Sequence, residues 1–150
     1  MRIQEIENKF KSETTLEEVL NLCNTEFERV DYYANTVLKS NLSDNPEEVI
    51  KALNELTGIY MTLKPIVAIS VSEKSNREIR QYNVLRIELE NAGGKFTSAS
   101  VEKQASEFVG NYRRIRNIVT AYLESAEKAI STLQSILKYL ITERNITPRE

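Results

Sequence analysis

The sequence predicts an all-α protein, an antiparallel helical bundle with a long C-terminal helix patterned in heptads, and three observations predict it. Four Gly and three Pro in 150 residues are too few for an all-β chain, which needs a turn about every 8–12 residues. Helix formers such as Leu, Ile, Glu, Lys and Ala dominate. Apolar residues also recur at spacings of three and four along most of the chain. A chain of this length is expected to form one domain burying about 70% of its unfolded surface. Its acidic helices span about residues 1–64, and a basic middle with the long last helix spans about residues 66–144. No window approaches the roughly eighteen apolar residues of a membrane span. A cytoplasmic protein without membrane contact is expected.

Each element follows from local chemistry. Ile3, Ile6 and Phe10 give a short amphipathic segment ending near Ser12. Thr14 with Glu17, or Thr15 with Glu18, forms a capping box that starts a helix with the stripe Leu16, Val19, Leu20, Cys23, Phe27, Val30, Ala34, Val37 and Leu38. Cys23 lies on that stripe and reads as a small core residue rather than a nucleophile. Asn41 to Asn45 is a loop. Asp44-Asn45-Pro46-Glu47-Glu48 starts the next helix: a capping side chain, a proline whose missing N–H costs nothing in the first turn, and two acids at the positive dipole end. Its stripe is Val49, Leu53, Leu56, Tyr60 and Leu63. Pro65 removes a backbone bond and crowds the carbonyl of Met61, which predicts a kink or break near Lys64. Residues 66–71 read as helix, because a lone strand has no partner elsewhere in the chain. Ile79, Tyr82, Arg86 and Leu89 carry the pattern to a stop at Gly93-Gly94.

Beyond Phe96, Thr97 or Ser98 caps a helix expected to run to about Arg144, before Asn145 and Pro148. Ala105, Phe108, Tyr112, Ile115, Val119, Tyr122, Ala126, Ala129, Leu133, Ile136 and Leu140 alternate spacings of three and four, a heptad seam. Such a seam wants a helical partner along its length. Val119, Tyr122, Leu133, Ile136, Leu137 and Leu140 are therefore the expected oligomer interface.

Composition also excludes chemistry. The chain has no His and one Cys, so a zinc site, His-based acid–base catalysis and an intrachain disulfide are ruled out. Paired acids such as Glu47/Glu48 sit at helix starts or on polar faces, and there is no phosphate loop or nucleophile elbow. No enzyme, metal or cofactor is expected.

The charge is unevenly spread. Residues 1–60 hold six Lys and Arg against twelve Asp and Glu, whereas residues 61–150 hold fourteen against ten. Nine positives against five acids gather between Lys74 and Arg116. Within that stretch Arg113, Arg114 and Arg116 flank Tyr112, and Arg77, Arg80, Arg86 and Lys95 lie near Tyr82. Guanidinium forks hold phosphates and aromatic faces stack bases, so Arg77, Arg80, Tyr82, Arg86, Lys95, Arg113, Arg114 and Arg116 form the candidate nucleic-acid set. A solvated mixed-charge helix face explains the same residues. If Gly93-Gly94 joins antiparallel helices, the two basic stretches share one surface.

The opening Met1-Arg2-Ile3-Gln4-Glu5-Ile6-Glu7-Asn8-Lys9-Phe10-Lys11, the acidic helix after it, the basic middle and the segment from Ala126 to Lys138 together resemble the UvsY recombination-mediator family of tailed bacteriophages. The resemblance implies an all-helical homo-oligomer that binds single-stranded DNA in the host cytoplasm. It also implies contacts with a recombinase and a single-strand-binding protein, with Arg77, Arg80, Tyr82 and Arg86 on DNA and the C-terminal helix in assembly. The alternative is a phage-encoded helical interaction protein, an assembly factor, chaperone or inhibitor, that binds no nucleic acid.

Overall fold

The computed structural model describes residues 2–37, 45–95 and 97–146. Every regular element among them is helical: α1 (Arg2–Lys9), a 3-10 turn (Glu13–Thr15), α2 (Glu18–Leu22), α3 (Asn24–Tyr32), a π turn (Tyr33–Val37), α4 (Pro46–Asn91), α5 (Ser98–Phe108) and α6 (Gly110–Ile146). The fold is all-α. The expected loop from Asn41 to Asp44, and Leu38, Phe96 and Pro148, lie outside the described residues.

The chain divides into two compact units, each drawn from separated stretches. The first comprises Met1–Leu22 and Pro65–Val119, and the second Cys23–Lys64 and Thr120–Glu150. In the first unit Ile6, Phe10, Leu16, Val19, Ile66, Val109, Tyr112, Ile115 and Val119 are buried. Burying one such side chain stabilises by about 1.5–3 kcal/mol. In the second unit the buried set includes Cys23, Phe27, Val30, Val49, Leu56, Leu63, Leu123, Ala126 and Leu133. Cys23 is thus a core residue, as its place on the stripe implied. Phe27 of α3 stacks on Tyr122 of α6 at 4.1 Å between ring centroids, and the Tyr122 hydroxyl donates to Asp31 at 2.9 Å.

Where local signals were strong, the elements begin and end as expected. Asn45 Oδ1 accepts from the backbone N–H of Glu47 at 3.1 Å, and Pro46 opens α4. At the other end of α4, Gly93 adopts φ +72°, a left-handed turn that favours glycine. The Gly94 N–H bonds to the Leu89 carbonyl and the Gly93 N–H to that of Glu90, closing the helix. Ile66 to Val71 is helical.

Four expectations are corrected. No helix starts on the Thr14 or Thr15 capping box: Ser12 caps a 3-10 turn, Thr15 Oγ1 donates back to the Lys9 carbonyl, and α2 begins at Glu18. Glu17 and Glu18 are engaged in ion pairs with Arg114 and Lys9 instead of reaching back to the helix start. Of the kink or break expected at Pro65, the break does not occur, since α4 runs unbroken from Pro46 to Asn91. The proline costs about 3 kcal/mol in a helix interior, but its ring is exposed, and the buried neighbours Leu63 and Ile66 hold the backbone on either side. Conversely, the last helix is not continuous from Ser98, because Val109 at φ −95° and ψ 19° separates α5 from α6. That pause moves the buried stripe from Phe108, which is exposed, to Val109, which is fully buried. A similar one-residue shift buries Leu123 beside the half-buried Tyr122. Finally, Ala34 is exposed and the adjacent Tyr33, where the π turn begins, is buried.

Candidate interaction surface

The basic residues separate into an inward group and an outward group. Arg77 belongs to the first. Its Nη2 donates to the Phe10 carbonyl just past α1 at 2.7 Å, and its guanidinium lies 4.6 Å from the centroid of the Tyr112 ring. Arg77 thus satisfies a helix-end carbonyl that α1 leaves open, and a cation over an aromatic face is favourable. Burial pushes the Tyr112 phenol up, against the opposing pull of Arg77. The Tyr112 hydroxyl and Arg77 Nε are buried without a hydrogen-bond partner among the described residues, the nearest Glu73 oxygen lying 3.6 Å from Nε. Arg113 donates to the Ser106 carbonyl at 2.8 Å and to its hydroxyl, closing the α5–α6 junction. Arg114 pairs with Glu17, and the neighbouring Asn111 donates to Glu13 at 2.9 Å. Arg116 is half-buried and bonds the Asn117 side chain at 2.9 Å.

Three of the candidate nucleic-acid residues remain outward. Arg80, Arg86 and Lys95 are exposed, with no ion pair among the described residues, and Tyr82 is half-buried. Residues from both helices line clefts in antiparallel order. Ile79, Tyr82 and Glu78 of α4 face Glu102 and Ala105 of α5 around an opening of about 300 Å³, while Leu85 and Leu89 face Val101 and Gln104 nearer the turn. The Gly93-Gly94 turn therefore folds α5 back along α4. The shared basic surface does not follow from that turn, because Arg77, Arg113 and Arg114 point into contacts of their own unit. The first unit holds twelve Lys and Arg against eleven Asp and Glu, so the local excess of the linear sequence is nearly cancelled by the acids of residues 1–22.

On α4 the stretch from Val71 to Asn91 contributes no fully buried residue. Ile79 is 61% exposed and Ile87 50%, with Val84 exposed beside them. Of the expected oligomer interface, Val119, Leu133 and Leu140 are buried, Tyr122 packs on Phe27, and Ile136 and Leu137 are half-buried. Tyr139 and Ile141 next to them are exposed.

One cluster escaped the sequence reading. In the second unit Arg29 forks onto Glu55, with Nη2 at 2.9 Å from Oε2, and Tyr33 donates its hydroxyl to the same carboxylate. The Arg29 guanidinium also lies 4.4 Å from the Tyr32 ring centroid. The fork holds Glu55 below the usual carboxylate range, while burial and the Glu55 charge push Tyr33 up to about 12. These side chains, with Glu48 and Lys51, line an open cleft of about 450 Å³. The Arg29, Tyr32, Tyr33 spacing was legible as helix neighbours; Glu55, far along the chain, was not.

No cluster of His, Cys, Asp and Glu among the described residues is arranged to hold a metal ion. No helix there is long and apolar enough to cross a membrane. Comparison with family models, curated proteins and solved structures finds no match.

Proposed function

We propose that this chain is a non-enzymatic helical interaction protein that binds macromolecular partners through exposed helix faces. The observation that carries this reading is the outer face of α4, where Ile79, Val84 and Ile87 stand in solvent on a stretch without one fully buried residue. Exposed aliphatics grouped on one face mark interaction surfaces more often than isolated ones do. The near-neutral first unit favours a protein partner over a polyanion, whose binding rests on uncompensated positive charge. An antiparallel bundle is the scaffold of this reading, supported by the folding back of α5 on α4 and by the packing of Arg77 of α4 on Tyr112 of α6. Self-association belongs to it through Ile136, Leu137, Tyr139 and Ile141 near the end of α6.

The test places a photoreactive residue at Ile79, Ile87, Tyr139 or Ile141 in turn, with Glu124 on an exposed polar face as control. Specific protein adducts from the first four positions are expected, including adducts to a second copy at Tyr139 and Ile141. Labelling no stronger than at Glu124 refutes the reading.

The exposed Arg80, Arg86 and Lys95 favour a second reading, the single-stranded-DNA-binding mediator with its recombinase and single-strand-binding partners. It requires that a labelled oligonucleotide bind at low salt, weaken as salt rises, and be lost in Arg80→Glu/Arg86→Glu.

A further inference from the structure

We infer that the outer face of α4 between Ile79 and Ile87 is a docking site for an acidic amphipathic helix of a partner protein. The inference rests on the interaction reading and assigns the partner's chemistry. From Ile79 to Ile87 the chain reads Ile-Arg-Gln-Tyr-Asn-Val-Leu-Arg-Ile, with two arginines and no acid. Ile79, Asn83 and Ile87 form one ridge along the helix, each four residues from the next, and Arg80 with Val84 forms the ridge beside it. All five side chains are exposed, as is Arg86. Tyr82 and Leu85 turn into the clefts shared with α5, and Ile79, though exposed, stands at the rim of the first of them. The outer side is thus a helix surface with ridges, apolar anchors and no covering element among the described residues of this unit.

The charge selects the occupant. Arg80 and Arg86 have no ion pair among the described residues, whereas Lys74 nearby is paired with Glu78 at 2.5 Å. Two unpaired guanidiniums, Arg86 at the border of the three aliphatics and Arg80 between Ile87 and Val84, match a helix that presents aliphatic residues together with carboxylates. Asn83, at the centre of the apolar ridge, supplies a hydrogen-bonding group that fixes the register of a helix pair. Glu88 and Glu90 mark the end of the patch toward the Gly93-Gly94 turn. A single DNA strand is the weaker match. Two cations neutralise few phosphates, and the one aromatic of the segment, Tyr82, is half-buried on the α5 side and not free to stack bases.

The test titrates the full chain into three labelled probes: a designed helical peptide with a leucine stripe bordered by glutamates, its twin with lysines in place of the glutamates, and a thymidine oligonucleotide. The acidic peptide is expected to bind about tenfold more tightly than its twin at low salt, with the preference shrinking as salt rises. Arg80→Glu/Arg86→Glu should reverse the preference, and Ile79→Ser/Ile87→Ser should weaken the acidic peptide; circular dichroism confirms that these exposed substitutions leave the fold intact. Equal binding of both peptides, binding of neither, or a preference unchanged by the arginine substitutions overturns the inference. If neither peptide binds while cross-linking at Ile87 still yields specific protein adducts, the assigned chemistry fails and the interaction reading stands. If only the oligonucleotide binds, through Arg80 and Arg86, and no protein adducts form, both fail.

Discussion

Replacing Tyr112 by Phe removes one oxygen atom and is expected to stabilise the protein. The ring is 2% exposed and its hydroxyl meets no hydrogen-bond partner among the described residues. A buried polar group left unpaired costs about 1–3 kcal/mol, and the substitution relieves that cost without changing the shape of the core. The Arg77 guanidinium keeps an aromatic face at 4.6 Å, so the loss on that side is a few tenths of a kcal/mol against a contact worth about 0.5–2 kcal/mol. The balance is a gain of about 1 kcal/mol. For a chain of 150 residues this raises the melting temperature by about 2–4 °C. Urea unfolding followed by circular dichroism at constant m-value measures it. A loss of 1 kcal/mol or more in Tyr112→Phe shows that the hydroxyl is hydrogen-bonded in solution and refutes the reasoning.

Two further predictions use the same assay, and a third uses a spectroscopic titration. Gly58→Ala should stabilise by about 0.5–1 kcal/mol, because Gly58 lies inside α4 on an exposed position with open space where its Cβ would stand; a destabilisation would show that Thr62, whose hydroxyl bonds the Gly58 carbonyl, depends on the glycine. Gly93→Ala should destabilise by about 1–2 kcal/mol, since its φ of +72° strains any residue with a Cβ, and an unchanged urea midpoint would mean the turn is replaceable. Tyr33 should titrate near pH 12 by ultraviolet absorbance, and because its folded value lies above the ordinary 10.0, the folded state keeps the proton that the unfolded chain loses. Stability from this group is therefore fully present below about pH 10 and is lost as pH rises toward about 12; a Tyr33→Phe variant with the same alkaline decline would assign the loss to other groups.

What the sequence made legible is what its neighbours in the chain decide. Asn45 and Pro46 start a helix, and Gly93-Gly94 ends it, because the partners of those backbone groups lie within five residues. At Pro65 the local rule allows a kink or a break, and packing, with Leu63 and Ile66 buried on either side, favours the continued helix. The interruption at Val109 was hidden because Gly110 falls between seam positions, where a heptad count passes over it. The arginines show the limit most clearly. Arg114 meets Glu17 and Arg77 meets the Phe10 carbonyl across 97 and 67 positions, so no window of sequence could separate them from Arg80 and Arg86, which meet nothing comparable.

The division of each unit between separated stretches bears on how the chain is made. Ile6, Phe10, Leu16 and Val19 leave the ribosome about a hundred residues before Val119, where the rest of their unit ends. At about 5–20 residues per second, these four side chains wait on the order of 5–20 s for the segment that covers them. The second unit closes only when the stretch beginning at Thr120 has emerged. Premature termination anywhere before Val119 leaves both units without a part, so a truncated nascent chain presents apolar helix faces to chaperones and proteases rather than one finished half.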